Sequence, residues 1–414
     1  LGTAEICAAF SGGDCIVVSK SNRILAALVC GAILALLVEI VWAQTHFTEY
    51  ANNPILGQGV SGGPKAYYPS VLYDSASFAG HDGGYTSTYK MWFDSDSTTK
   101  LATSDDGITW TIRADVSLAN VHHPLVKYYA AGFAGANSGN NPSGSTMYYR
   151  MWYWTGTMYY TVADLRYAES NDGITWYNDQ PLQNGAVPIV TGTWPDWNRG
   201  SYGPCDVLYN PSASNSGTDW TFTLYYDGTT GGTESIGLAF SSDGITWTGY
   251  DGTGDGKADA VLTGTFNAGD WDYNYVSRAT VIKYANGSYE MWYSGGNNAM
   301  HDGIGFATST DGITWTRRAR IFYKTDGVTW RANRTYCPMV IRQFGIYKMW
   351  YAGRSASGQY AIGYAVDDGA TAVTLSSFDA RSATPSDSNP LVLVSGMGVL
   401  GIGILLARRW QHTN

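Results

Sequence analysis

The octapeptide SDDGITWT, which begins at Ser104, returns as SNDGITWY from Ser170, SSDGITWT from Ser241 and STDGITWT from Ser309. Asp106, Asp172, Asp243 and Asp311 are 66, 71 and 68 residues apart, and a degenerate copy, DDGATAV, starts at Asp367. A period of this length means that one supersecondary unit is stacked several times. A second phrase precedes each Asp-Gly: YKMWFD at Tyr89, YRMWYW at Tyr149, TLYYDG at Thr223, YEMWYS at Tyr289 and YKMWYA at Tyr347. The chain therefore carries five copies.

Ahead of each of these phrases runs an apolar, branched segment starting at Pro69, Pro124, Cys205, Ala279 or Pro338; behind it follows a Gly/Ala-rich run such as IGLAFS (Ile236) or IGFATS (Ile304). Each unit reads as four short strands separated by turn residues, and no segment is long and periodic enough for a helix. Four strands per repeated unit make a propeller blade. The expected fold is all-β, a five-bladed β-propeller over residues 44–375 with four antiparallel strands per blade. The Asp-Gly then becomes the turn between strands three and four, with Gly supplying positive φ and Asp capping its own backbone. Trp110, Trp176, Trp247 and Trp315 would pack between blades. On this reading the repeat is scaffold.

The flanks read differently. Residues 1–43 form an N-terminal extension and signal peptide: Lys20 and Arg23 precede the apolar run Ile24 to Ala43, which ends in a small-residue pattern suited to cleavage before Gln44. An uncleaved anchor is the alternative, though Glu39 interrupts the run. Residues 376–390 are a polar linker, and residues 391–414 a hydrophobic helix followed by Arg408-Arg409, an order that resembles bacterial C-terminal sorting tails. That helix would partner the membrane, transiently before processing or lastingly as an anchor. With both basic ends held inside, the intervening chain is expected to be exported and to stand at the bacterial surface. Of the five cysteines only Cys205 and Cys337 follow the cleavage site, in units separated by another, an arrangement that argues against a disulfide. A formal charge of −9 without a basic run excludes a nucleic-acid partner.

The order YxMWY, IGxAxS, DGITW between about Asn53 and Ser376 resembles the five-bladed propeller superfamily of arabinanases, levansucrases and invertases. The resemblance implies three carboxylates at the mouth of the axial channel, acting as nucleophile or base, transition-state stabiliser and general acid. The residues leading into the innermost strands are Tyr67-Tyr68-Pro69, His122-His123-Pro124, Gly203-Pro204-Cys205, Ser277-Arg278-Ala279 and Tyr336-Cys337-Pro338. None is Asp or Glu. The acids closest to the strand ends, Asp206, Asp272 and Asp302, are the catalytic candidates; Asp94, Asp96, Asp196, Asp227, Glu234 and Asp270 lie in the surrounding loops. Tyr68, His123, Arg278 and Tyr336, with Trp194 and Trp271, would stack on sugar rings and bond hydroxyls, or else fill the narrowing channel. Adjacent on a strand, His122 and His123 point to opposite faces and would not share a metal. The five units and the missing residue between Asp and Gly count against the sialidase Asp-box, and a sialidase-like site with a Tyr nucleophile and an Arg cluster at Arg278 and Arg334 needs a Glu that the sequence does not place.

Two functions follow: a surface-associated glycoside hydrolase-like propeller acting on or binding carbohydrate at the axial mouth, or a non-catalytic glycan-binding or adhesion protein of the same fold. A separate segment, DGTGDGKADAVL, sets oxygens at Asp251, Thr253, Asp255 and Asp259 and resembles the calcium loops of integrin-type and dockerin-type repeats. It would hold a structural Ca2+ or form a polar hairpin loop.

Overall fold

The structure, a computed structural model, describes residues 46–60, 63–96, 98–133, 146–156, 161–297 and 300–367, with the backbone of a short pair of strands, Glu5–Ile6 and Ile16–Val17. The chain divides into two compact units, Leu1–Ala372 and Val373–Asn414, the second outside the described residues. The expected export signal, polar linker, C-terminal helix and degenerate Asp-Gly copy also fall outside them, apart from the short strands and Asp367. No described helix is long and apolar enough to cross a membrane.

Among the described residues the protein is all-β, and its strands pair antiparallel within each repeat. Repeat one comprises Tyr67–Tyr73, Tyr89–Ser95, Thr98–Ser104 and Thr111–Asp115. Repeat two comprises His122–Tyr128, Tyr149–Trp154, Leu165–Ser170 and Tyr177–Pro181. Repeat three comprises Gly200–Tyr209, Phe222–Thr230, Thr233–Ser241 and Thr246–Gly249. Repeat four comprises Tyr275–Lys283, Tyr289–Asn297, Met300–Ser309 and Thr316–Tyr323. Repeat five has Arg334–Gln343, Ile346–Arg354 and Tyr360–Asp367. Its outer place is filled from the other end of the chain, where Thr48 and Glu49 pair with Val366 and Ala365. Each first strand lies against the first strand of the following repeat, and Arg334–Gln343 lies back against Tyr67–Tyr73.

The second and third strands are mostly buried, since their faces meet other repeats; YKMWFDS is buried at every position, whereas the outer strand TIRAD is largely exposed. The repeated motifs meet between repeats. Trp92 Nε1 donates to the Gly173 carbonyl of the next Asp-Gly turn, Trp152 Nε1 to Gly244, and Trp350 Nε1 to Gly107. In repeat three Tyr225 stands where the others carry Trp, and its hydroxyl reaches Gly312. The tryptophan after each turn closes the same joint: Trp176 lies edge-on to Trp92, Trp247 to Trp152, Trp110 to Trp350 and Trp315 to Tyr225.

Within each turn the aspartate accepts from its own backbone. Asp106 Oδ1 takes the Ile108 and Thr109 amides at 2.7 Å each, and Ser104 Oγ takes the Gly107 amide at 2.9 Å. Asp172, Asp243 and Asp311 repeat this pattern. These amides hold the Asp106 and Asp311 carboxyls below the usual range, against an opposing pull from desolvation. The Asp-Gly is thus both a turn and the acceptor that joins neighbouring repeats.

Candidate functional site at the axial mouth

Five first strands share a bulge at the same level. Tyr68, His123, Arg278 and Cys337 adopt left-handed backbone with φ of 49–52°, and Gly203 has φ 144°. Ladder register breaks at Tyr67/Ser70, Ser277/Thr280 and Tyr336/Met339, and opposite His122 in repeat two. A bulge re-aims side chains, and positive φ at four non-glycine residues costs about 1–3 kcal/mol each, so packing at this level must hold them there.

The re-aimed side chains converge. Tyr68 lies against His123 with ring centroids 3.5 Å apart and edge-on to Tyr336 at 5.7 Å. The Arg278 guanidinium sits over Tyr68 at 5.5 Å and Tyr202 at 5.6 Å. Tyr68, His123, Arg278 and Tyr336 therefore come together, as a plug. His123, Arg278 and Tyr336 are all buried, and the cavity left between the bulges measures only about 40 Å3. That is room for about one water.

Carboxylates surround the plug, and each is tied to a cation or imidazole. Arg278 Nη1 stands 3.2 Å from Asp227 Oδ2 and 3.0 Å from Glu234 Oε2. His301 Nε2 meets the same Glu234 oxygen at 2.8 Å and Ser277 Oγ at 2.9 Å. Asp227 Oδ1 accepts from the Tyr202 amide at 2.8 Å. Asp94 pairs with His122 Nδ1 at 3.0 Å. Asp94, Asp227 and Glu234 are all at most 4 % exposed.

One guanidinium shared between two buried carboxyls favours one negative charge over two. Desolvation accordingly raises Asp227, against the pull of Arg278, whereas Glu234, equally desolvated, is drawn below its ordinary range by Arg278 and His301. Burial, with Arg278 beside it, pushes His123 well below the usual imidazole value; burial lowers His301 as well. Asp94 Oδ1, His123 Nδ1 and Arg278 Nε have no hydrogen-bond partner among the described residues.

The three catalytic candidates from the sequence stand elsewhere, and the structure does not bring them together. Asp206 Oδ1 pairs with Lys127 at 2.5 Å, and its two oxygens accept the Val207 and Val281 amides, linking repeats two, three and four. By register it matches Ser70, whose hydroxyl accepts the Val126 amide of the next repeat. Asp272 accepts from Tyr293 and Arg317 within its own repeat, and Asp302 pairs with Lys324 at 2.8 Å. Trp271 lies at van der Waals distance over Gly295 and Gly305 and stacks on Tyr293, as Trp197 and Trp330 do over the glycines of repeats three and five. Trp194 is 62 % exposed beside Gly231, in the strand-two to strand-three loop next to Glu234.

His301 joined the site without a sequence signal, whereas Ser277 and Cys337 stand at the strand entries read from the sequence, next to Arg278 and Tyr336. Cys205 and Cys337 are free and line the same small cavity despite belonging to separated repeats. In the DGTGDGKADAVL loop, Asp251 accepts the Gly254, Asp255 and Gly256 amides and Asp259 those of Gly252 and Thr253. The carboxylates cap their own hairpin, and no cluster of three metal-ligating side chains occurs among the described residues.

Around the plug the rim is aromatic and more open. Tyr67 packs on Tyr360 at 5.1 Å, and Trp154 lies between His122 at 6.0 Å and Tyr202 at 5.8 Å. These rings are all half-buried.

No protein-family model matches the chain. Two curated proteins of Mycobacterium tuberculosis, the uncharacterized proteins MT1551 and Rv1502, are each 36 % identical over 78 residues, or 17 % of this chain. The chain spans about a quarter of the length of these relatives. Solved structures match far more of it. A complex of BT0996 with RGII aligns over 79 % of this chain and 94 % of its own at 17 % identity, with a TM-score of 0.53. A putative glycoside hydrolase from Parabacteroides distasonis covers 78 % and 97 % at 13 % identity and a TM-score of 0.53. A GH130 structure, from a family of mannoside phosphorylases that contains glycoside hydrolases targeting β-1,2 mannosidic linkages in Candida mannan, covers 77 % and 93 % at 14 % identity and a TM-score of 0.52. At these identities the likeness concerns the fold alone: the chain has a β-propeller-like fold in common with these structures.

Proposed function

We propose that the chain is a five-bladed propeller that binds carbohydrate at the aromatic rim of its axial mouth without cleaving it. The observation that carries this reading is the content of the five bulges. Tyr68, His123, Arg278 and Cys337 occupy the places from which a hydrolase of this fold would present carboxylates, and they close the channel to about 40 Å3. Glycoside hydrolysis requires two carboxyls flanking a space large enough for the glycosidic bond. Here Asp227 and Glu234 are both buried against Arg278. Tyr67, Trp154, Tyr202 and the exposed Trp194 supply faces for sugar rings instead. Export and retention at a bacterial surface, through the segments at either end, belong to the same proposal.

A second reading, hydrolysis, rests on one specific observation. Asp227 and Glu234 are displaced in opposite directions, which is how a general acid and a charged partner are separated at one pH. Electrophoresis of the protein through gels cast with arabinan, fructan, mannan or xylan tests the binding reading. Retardation by at least one polymer, weakened when Tyr67→Ala and Trp194→Ala are combined, is expected; free migration in all four would remove it.

A further inference from the structure

A cavity of about 510 Å3 opens on the opposite face, where the Asp-Gly turns lie. It is bounded by the ends of three first strands, at Lys127–Tyr129, Val207–Asn210 and Lys283–Ala285, and by the turn Asp311–Ile313. Ligand pockets generally occupy about 300–1,000 Å3 with aromatic walls and a few placed polar groups. This cavity fits that description and the axial one does not.

Aromatic side chains line its walls. Tyr128, Tyr209, Trp220 and Tyr289 are half-buried, and Trp220 is steadied by stacking on Phe240 at 6.1 Å and by Nε1 donating to the Gly217 carbonyl at 2.8 Å. The polar groups stand at the edge: Asn210, Asp219 and Lys283. Charge is balanced throughout. Lys127 is held by Asp206 at 2.5 Å, and Asp311 is capped by its own turn. Lys283 lies 5.4 Å from the Tyr289 ring centre and adds to the Ser214 and Asn210 contacts that keep Asp219 ionised. Apolar faces with uncharged balance and edge donors and acceptors suit a ligand that is apolar on its faces and hydroxylated on its edges.

We infer that this cavity is a second carbohydrate site, built for a segment of uncharged oligosaccharide. It stands independently of the mouth. Calorimetric titration of the full chain with cellohexaose, xylohexaose, mannohexaose and arabinohexaose, and with hexagalacturonate as the acidic counterpart, tests it. At least one neutral hexasaccharide is expected to bind, with affinity reduced about tenfold or more by Trp220→Ala and largely kept by Trp220→Phe. Hexagalacturonate is expected to bind at least about tenfold more weakly than the neutral ligand. No binding of any neutral hexasaccharide, or binding that Trp220→Ala leaves intact, would overturn the site. Binding abolished by Trp194→Ala and untouched by Trp220→Ala would overturn it while sparing the mouth.

Discussion

The two faces of the molecule both gather aspartates, and they treat them in opposite ways. On one face Asp106, Asp172, Asp243 and Asp311 each accept, through Oδ1, the backbone amides two and three residues ahead, at low cost and near water. On the other, Asp94, Asp227 and Glu234 are buried and depend on His122, Arg278 and His301 from other strands. The first arrangement is local and recurs four times. The second exists only once the whole fold has closed. A carboxylate capped by its own turn builds structure; one that depends on a distant cation stores electrostatic tension that either binding or chemistry could draw on.

The sharpest way to break this contrast is Arg278→Met. Removing the shared guanidinium leaves Asp227 and Glu234 buried without their cation, and the expected loss is about 3–5 kcal/mol, read as a shift in the denaturant midpoint. A loss under about 1 kcal/mol would mean the cluster is solvated and the contrast false.

Gly173→Ala probes the other face. A Cβ there would come within 2.8 Å of Trp92 Cζ2 on a backbone at φ 78°. Strain and crowding together are expected to cost about 3 kcal/mol without altering carbohydrate binding.

A pH comparison isolates one buried imidazole. His123 in the folded state sits well below its ordinary value, so the unfolded chain takes up a proton first as pH falls through about 6.5. Stability is therefore lost on acidification. His123→Gln is expected to remove about 2 kcal/mol of that loss between pH 7 and pH 5. Asp227, raised by burial, works in the other direction, gaining stability as pH falls through its folded value, and is left untouched by this substitution. Equal slopes for the two proteins in denaturant titrations would show that His123 is not buried neutral.

The smallest effect belongs to Asp106→Asn. The side-chain carbonyl can still accept the Ile108 and Thr109 amides, so the expected cost is about 1 kcal/mol or less, with unchanged retention on polysaccharide gels.

Much of the fold was legible because it repeats. The phrase around Trp92 and the Asp-Gly around Gly173 recur in register, and the hydrogen bond between them is the physical reason for their recurrence. The outer strand of repeat five was not legible, since Thr48 and Glu49 resemble no other outer strand. The site was harder still. Tyr68, His123, Arg278 and Tyr336 are marked by their place before the first strands, and the sequence leaves open whether they bind sugar or fill the channel. Asp206 looked catalytic because it begins a strand. A bulge shifts register by one residue, and that shift turns its carboxylate from the mouth to the joint between repeats. Asp94 and Asp227 do occupy matching positions, opposite Tyr67 and Gly203, while Glu234 and His301 meet them from separate repeats with no shared motif.

The central question is whether the buried carboxylates do chemistry. Chromatography of the sugars released when the protein is incubated with arabinan, fructan, mannan or xylan, each at pH 5 and pH 7, decides it most directly. The prediction is retention of at least one polymer with no released sugar at either pH. Release that disappears in Asp227→Asn would contradict it and make the axial mouth an active site.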